Sequence, residues 1–137
     1  VKVKIIGQKE KLPKSLQKII KEVEEFTKNN NKFHLNLAVN YGGKWDILNA
    51  FKKIVEEKIP AAQIDDKLLE NYLSTAGLAN PDLIIRAGGE MRMSNFVLWQ
   101  AAYSELYFSP KLWPDFTEQD IDMALAEFDS RQRRFGK

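Results

Sequence analysis

Apolar residues follow two spacings along this chain, and each change of spacing marks a change of element. Val1-Lys2-Val3-Lys4-Ile5-Ile6 has the pattern of a short strand that Gly7 interrupts. Pro13 opens a helix, in which Leu16, Ile19, Ile20, Val23 and Phe26 recur at three- and four-residue intervals as far as about Lys28. Asn29-Asn30-Asn31 stops it, because Asn tolerates left-handed backbone. Phe33 to Val39 alternates with period two and forms a strand with Phe33, Leu35, Leu37 and Val39 on one face. After the turn Asn40-Tyr41-Gly42-Gly43, a second helix runs to about Lys58 with Ile47, Leu48, Phe51, Ile54 and Val55 as its buried stripe, and Pro60 closes it. A short third helix is expected from Ile64 to Leu73, with Asp65 or Asp66 near its start.

The second half begins with Asp82-Leu83-Ile84-Ile85-Arg86, an apolar triplet that reads as a buried strand with a charge at its C-terminal end. The loop Ala87 to Ser94 follows, and Phe96 to Tyr103 is expected to be helical. Leu106-Tyr107-Phe108 forms a last short strand. Thr117 with Asp120 resembles a capping box, opening a helix to about Arg134 with Ile121, Ala124, Leu125 and Phe128 inward. Alternating strands and helices indicate an α/β domain whose mainly parallel sheet, of three or four strands, is flanked by helices. A sheet that small places residues 1–6 as an interior strand of a larger sheet, incomplete in this chain.

Composition narrows the chemistry. The 137 residues are 44% hydrophobic and 29% charged, as in ordinary globular proteins, and no apolar run approaches the roughly 20 residues of a membrane span. The start carries neither Met nor the pattern of a signal peptide, and the expected location is cytoplasmic. The absence of cysteine excludes disulfides, thiol catalysis and Cys-based zinc sites. The one histidine, His34, excludes a multi-His metal site and reads as a structural or surface residue. A net charge of +2 gives no general attraction to nucleic acid, and the basic Arg131-Gln132-Arg133-Arg134 reads as a solvated helix end.

Ligands of α/β sheets bind beyond the carboxyl ends of the strands, where two loops lie. One is Asn40-Tyr41-Gly42-Gly43; the other holds Arg86, Gly88, Gly89, Arg92 and Ser94. Paired glycines let backbone amides approach an anion, and two guanidinium forks with a hydroxyl form either a diphosphate cradle or a polar loop with two solvated arginines. Glu105 stands in the otherwise apolar Ala102-Tyr103-Ser104-Glu105-Leu106-Tyr107, so it is ion-paired, at a surface, or a metal ligand. Trp99, Tyr103, Tyr107, Phe108, Trp113 and Phe116 lack interleaved cations and read as core packing, not as a nucleic-acid platform.

These segments also resemble a known family. Asp82 to Gln100, read as DLIIRAGGEMRMSNFVLWQ, resembles the signature of the cis-prenyltransferases of the undecaprenyl diphosphate synthase type. Ala102 to Phe108, Trp113-Pro114-Asp115-Phe116, Asn40 to Gly43 and Arg133-Arg134-Phe135-Gly136 are in register with it, so the resemblance covers essentially the whole chain. It implies that Arg86, Arg92, Met93 and Ser94 bind isopentenyl diphosphate and that Glu105 is a Mg²⁺ ligand. Asn40, Gly42, Gly43, Gly88 and Gly89 then support the site. It further implies a homodimer in which Arg134 and Gly136 reach the partner's site, and farnesyl diphosphate as the second substrate.

The chain departs from the family by lacking its front part, with the Asp-Gly-Asn-Gly-Arg-Trp segment, so it is expected to be the C-terminal portion of a single domain and inactive alone. No residue of this portion is assigned as catalytic. Lys44, Ala87 and Met93 replace residues more usual in the family without removing a proposed ligand. The alternatives are a non-catalytic subunit of a heterodimeric cis-prenyltransferase and a generic phosphate-binding module. Retention of Arg86, Arg92, Ser94 and Glu105 argues against the first, and the length of the motif against the second. Strand face Phe33, Leu35, Leu37 and Val39 is either an ordinary core face or part of the channel for a growing isoprenoid tail.

Overall fold

A computed structural model describes residues 1–131, and the chain divides into two units, Val1–Leu78 and Ala79–Lys137. In the first unit, strand β1 (Lys2–Ile6) pairs in parallel with β2 (His34–Ala38), Lys2 facing His34 and Ile6 facing Ala38. Helix α1 (Lys14–Thr27) makes the crossover that a parallel pair requires. The outer edge of β1 is sealed by that helix: Val3 N–H donates to Thr27 Oγ1 at 3.1 Å and Ile5 N–H to a carboxylate oxygen of Glu24 at 2.8 Å. Among the described residues β1 is therefore an edge strand. Its outward amides meet side chains where another strand would pair.

Helix α2 (Gly43–Glu56) packs against α3 (Asp66–Tyr72), which Asp65 caps by accepting from Leu68 N–H at 2.7 Å. Ile5, Ile6, Ile20, Ala50, Ile54, Leu69 and Leu73 form the core of this unit. The buried line of α2 is Gly43, Asp46, Ala50 and Ile54, which overturns most of the expected stripe: Leu48, Phe51 and Val55 are exposed. Apolar residues lie on two faces of this helix, and the small residues Gly43 and Ala50 mark the face that packs closely. The face of β2 bearing Phe33, Leu35 and Leu37 is likewise exposed instead of forming a core.

In the second unit, β3 (Leu83–Arg86) and β4 (Glu105–Phe108) form another parallel pair, with Leu83 opposite Glu105 and Arg86 opposite Phe108. The strands of the described residues thus form two separate two-stranded sheets in place of one sheet of three or four. The segment expected to be helical from Phe96 to Tyr103 is a chain of turns. Ser94, Asn95 and Val97 have φ of 47°, 64° and 37°, which no right-handed helix admits.

Helix α4 (Glu118–Ser130) ends earlier than Arg134. Its inward line is Asp120, Ala124 and the half-buried Phe128, while Ile121 and Leu125 are exposed against expectation. The capping pair exists: Thr117 N–H and Oγ–H each donate to Asp120 Oδ2 at 2.7 Å. Of the aromatics expected in a core, Tyr103 and Trp113 are exposed, and Trp113 stacks on Phe116 at 5.9 Å between ring centroids.

Candidate active site

β3 delivers Arg86 to its C-terminal end, and the loop beyond returns to meet it. Arg86 Nη1 donates to Ser94 Oγ at 2.8 Å and also to the carbonyl oxygen of Arg92. Ser94 reaches this position through its left-handed backbone. Arg92 Nη1 lies 2.7 Å from Glu90 Oε2, with both side chains more than half exposed. Arg86, Arg92, Met93 and Ser94 together line a cavity of about 270 Å³. The rest of its wall is apolar, from Ile84, Ile85, Phe96 and Phe108. The sequence motif marks the polar half of this cavity. The strand pair, with Phe96, supplies the apolar half.

The glycines act differently from the anion-binding role expected for their amides. Gly88 N–H donates to Lys111 O at 2.7 Å and Gly89 N–H to Ser109 O at 2.9 Å. Both amides thereby anchor the loop to the segment after β4, and both residues have positive φ, 101° and 75°. Asn40, Gly42 and Gly43 belong to the first unit and contribute no residue to the 270 Å³ cavity. Asn40 O accepts from Gln8 N–H at 3.2 Å, and Gly42 is the N-cap of α2.

Glu105 opens β4, and its N–H donates to Asp82 O at 2.9 Å. Its carboxylate is ion-paired: Arg131 Nη1 donates to Oε2 at 2.8 Å and to Leu106 O at 3.0 Å. Arg131 Nη2 donates to Glu127 Oε1, one helical turn earlier. These carboxylates raise the pKa of the Arg131 guanidinium, Glu105 foremost and Glu127 next. Arg131 is thus a bridging residue and not the solvated helix end that its basic neighbours suggest. The only local sign of this role is Glu127 four residues before it. Among the described residues no group of three or more His, Cys, Asp or Glu side chains converges as a metal site, so Glu105 could offer a cation one carboxylate, with Oε1 unengaged. His34 is exposed on β2 beside Lys2 and Lys4, with no role in this cavity. Arg134 and Gly136 lie outside the described residues.

The family model of undecaprenyl diphosphate synthase matches residues 1–136. The chain belongs to this prenyltransferase family. A tritrans,polycis-undecaprenyl-diphosphate synthase of Methanocaldococcus jannaschii, named as geranylgeranyl-diphosphate specific, is 50% identical over 143 residues, covering 100% of this chain and 51% of that protein. A ditrans,polycis-undecaprenyl-diphosphate synthase of Legionella pneumophila strain Paris, named as (2E,6E)-farnesyl-diphosphate specific, is 45% identical, covering 100% of the chain and 59% of that protein. The crystal structure of lavandulyl diphosphate synthase from Lavandula x intermedia, in complex with dimethylallyl diphosphate, superposes with a TM-score of 0.94 at 44% identity. It is covered to 60% of its length by 99% of this chain. The chain thus spans a little over half the length of these proteins, and its α/β fold of parallel strands and helices is that of the lavandulyl diphosphate synthase structure. Among the described residues no helix is long and apolar enough to cross a membrane.

Proposed function

We propose that this chain carries the isopentenyl diphosphate half of a cis-prenyltransferase active site. The observation behind the proposal is the convergence of Arg86, Arg92 and Ser94 on one cavity whose other wall is apolar. Guanidinium forks bind diphosphate oxygens in pairs, and Ser94 adds a hydroxyl donor. Ile84, Met93 and Phe108 offer apolar surface to the five-carbon tail. Among the described residues Arg86 is held through Nη1 alone, which leaves Nε and Nη2 for a ligand. Arg92 must exchange Glu90 for the incoming diphosphate.

In the proposed reaction the allylic carbon–oxygen bond breaks and diphosphate departs. The isopentenyl double bond attacks the allylic carbon, and loss of a proton leaves a new cis double bond. Arg86 and Arg92 fix the attacking substrate, an orientation effect. We assign Glu105 as the residue that would hold Mg²⁺, through Oε1, which has no partner among the described residues; a single carboxylate suits this ion. Glu105 would thereby place positive charge beside the departing diphosphate when the ion is bound. The primer is an allylic diphosphate such as farnesyl diphosphate. A cytoplasmic homodimer as the working assembly, and the inability of this chain to turn over alone, belong to the same proposal.

The test is calorimetric titration of isopentenyl diphosphate into this chain, with and without Mg²⁺, and into Arg86→Ala and Arg92→Ala. Binding that both substitutions abolish supports the half-site. Binding indifferent to both substitutions overturns it. Prenyl transfer by the chain alone, its intact mass verified, would refute the inactivity.

A further inference from the structure

Arg131 is tied to two carboxylates on two different elements. On β4 it holds Glu105 Oε2 at 2.8 Å; on α4 it holds Glu127. Leu106 O, 3.0 Å from Nη1, adds a backbone anchor that depends on neither carboxylate. The guanidinium therefore keeps two of its partners if Glu105 is withdrawn. Glu105 has no such reserve, since Arg131 is its only side-chain partner among the described residues.

We propose that Arg131 is the resident counter-ion of Glu105 and sets the affinity of that carboxylate for a divalent cation. The inference rests on the assignment of Glu105 as a cation ligand. Two cations on one carboxylate repel each other, and a guanidinium 2.8 Å from Oε2 is already in place. A divalent cation therefore binds Glu105 against the charge of Arg131, and Arg131 gives way toward Glu127 and Leu106 O. Glu127 holds the displaced charge: the i,i+4 pair on α4 is the alternative that makes the exchange reversible. The arginine and glutamate side chains are 32% and 26% exposed, so the pair is neither fully screened nor locked in the interior.

The experiment titrates Mn²⁺ into this chain, with free Mn²⁺ read by electron paramagnetic resonance, and compares Arg131→Gln, Arg131→Lys, Glu127→Gln and Glu105→Gln. Arg131→Gln removes the charge and is expected to bind Mn²⁺ about fivefold more tightly, the factor that a partly exposed ion pair is worth. Arg131→Lys keeps the charge and stays near the parent. Glu127→Gln, a change on the exposed side of α4, removes the alternative partner and weakens binding. A role confined to holding the fold would weaken Mn²⁺ binding or leave it unchanged on loss of Arg131, and either result overturns the proposal. Should Arg131→Gln not fold, Glu127→Gln decides: unchanged affinity there refutes the exchange. Glu105→Gln tests the assignment beneath, since undiminished Mn²⁺ binding in that variant removes Glu105 as a ligand whatever Arg131 does.

Discussion

Ser74 donates twice to one oxygen of Asp46, from its backbone N–H at 2.9 Å and from its hydroxyl at 2.7 Å. Tyr41 Oη–H reaches the other carboxylate oxygen at 3.1 Å. Asp46 is only 1% exposed, so one buried carboxylate joins the first turn of α2 to the segment after α3 and to the loop before α2. Asp46→Ala strands these donors and is expected to cost about 2–4 kcal/mol. Asp46→Asn, which keeps one acceptor, should cost less. Urea unfolding of both variants checks the order, and a fully stable Asp46→Ala chain would show that the network adds nothing net.

The packing face of α2 makes a sharper prediction. Ile54 is fully buried, at 0% exposure, whereas Val55 is 72% exposed. Ile54→Ala should cost about 2–5 kcal/mol by opening a cavity. Val55→Ala should fall within about 0.5 kcal/mol of the parent. The stripe expected from sequence would make both costly, so equal losses would restore it.

Acid should loosen the start of α4. Lys111 donates to Asp120, Thr117 donates twice more, and these contacts lower its carboxyl pKa from 3.8 to about 2. A depressed carboxylate stabilises the fold fully above its unfolded value. Its contribution therefore declines as pH falls from about 4 through 2. Thermal melting across that range should show the decline in the parent and a flatter profile in Asp120→Asn.

Gly7 and Gly77 separate crowding from backbone strain. Both have positive φ, 115° and 81°. A Cβ at Gly7 would sit 2.1 Å from Val39 O, and one at Gly77 meets nothing within 4 Å. Gly77→Ala bears the strain of left-handed backbone alone, roughly 1 kcal/mol. Gly7→Ala must also push β1 from the end of β2 and should lose several times as much, about 3 kcal/mol or more. Comparable unfolding midpoints for the two would contradict this.

If the cavity holds isopentenyl diphosphate as proposed, Arg86 acts as a fork and not only as a charge: Nη1 is engaged with Ser94 Oγ and Arg92 O, and Nε and Nη2 remain to meet the diphosphate. Arg86→Lys should therefore fail to restore isopentenyl diphosphate binding, leaving it about tenfold or more weaker. Ser94→Ala, which deletes one neutral partner, should weaken it less. Calorimetry on the two variants distinguishes fork from point charge.

Local chemistry makes much of this protein legible. Period-two alternation locates β1 and β2 to within a residue, and Asp65 and Thr117 announce the starts of α3 and α4, because strand pleat, helix pitch and capping act over a few residues. The run from Asp82 to Gln100 carries the family resemblance and marks Arg86, Arg92 and Ser94, which the fold brings to one cavity. Other features depend on partners distant in sequence. Which apolar face of α2 is covered depends on where α3 packs. The turns of 94–104 arise from backbone conformations that an apolar pattern does not encode. The amides of Gly88 and Gly89 are taken by carbonyls about twenty residues onward, and Arg131 meets Glu105 across 26 positions. Most elements and the family membership are written in short motifs, so the order of residues was enough to reveal them. Which donors are engaged and which charge faces which emerged with the folded chain, because hydrogen bonds and ion pairs are claimed by whatever group the fold brings near.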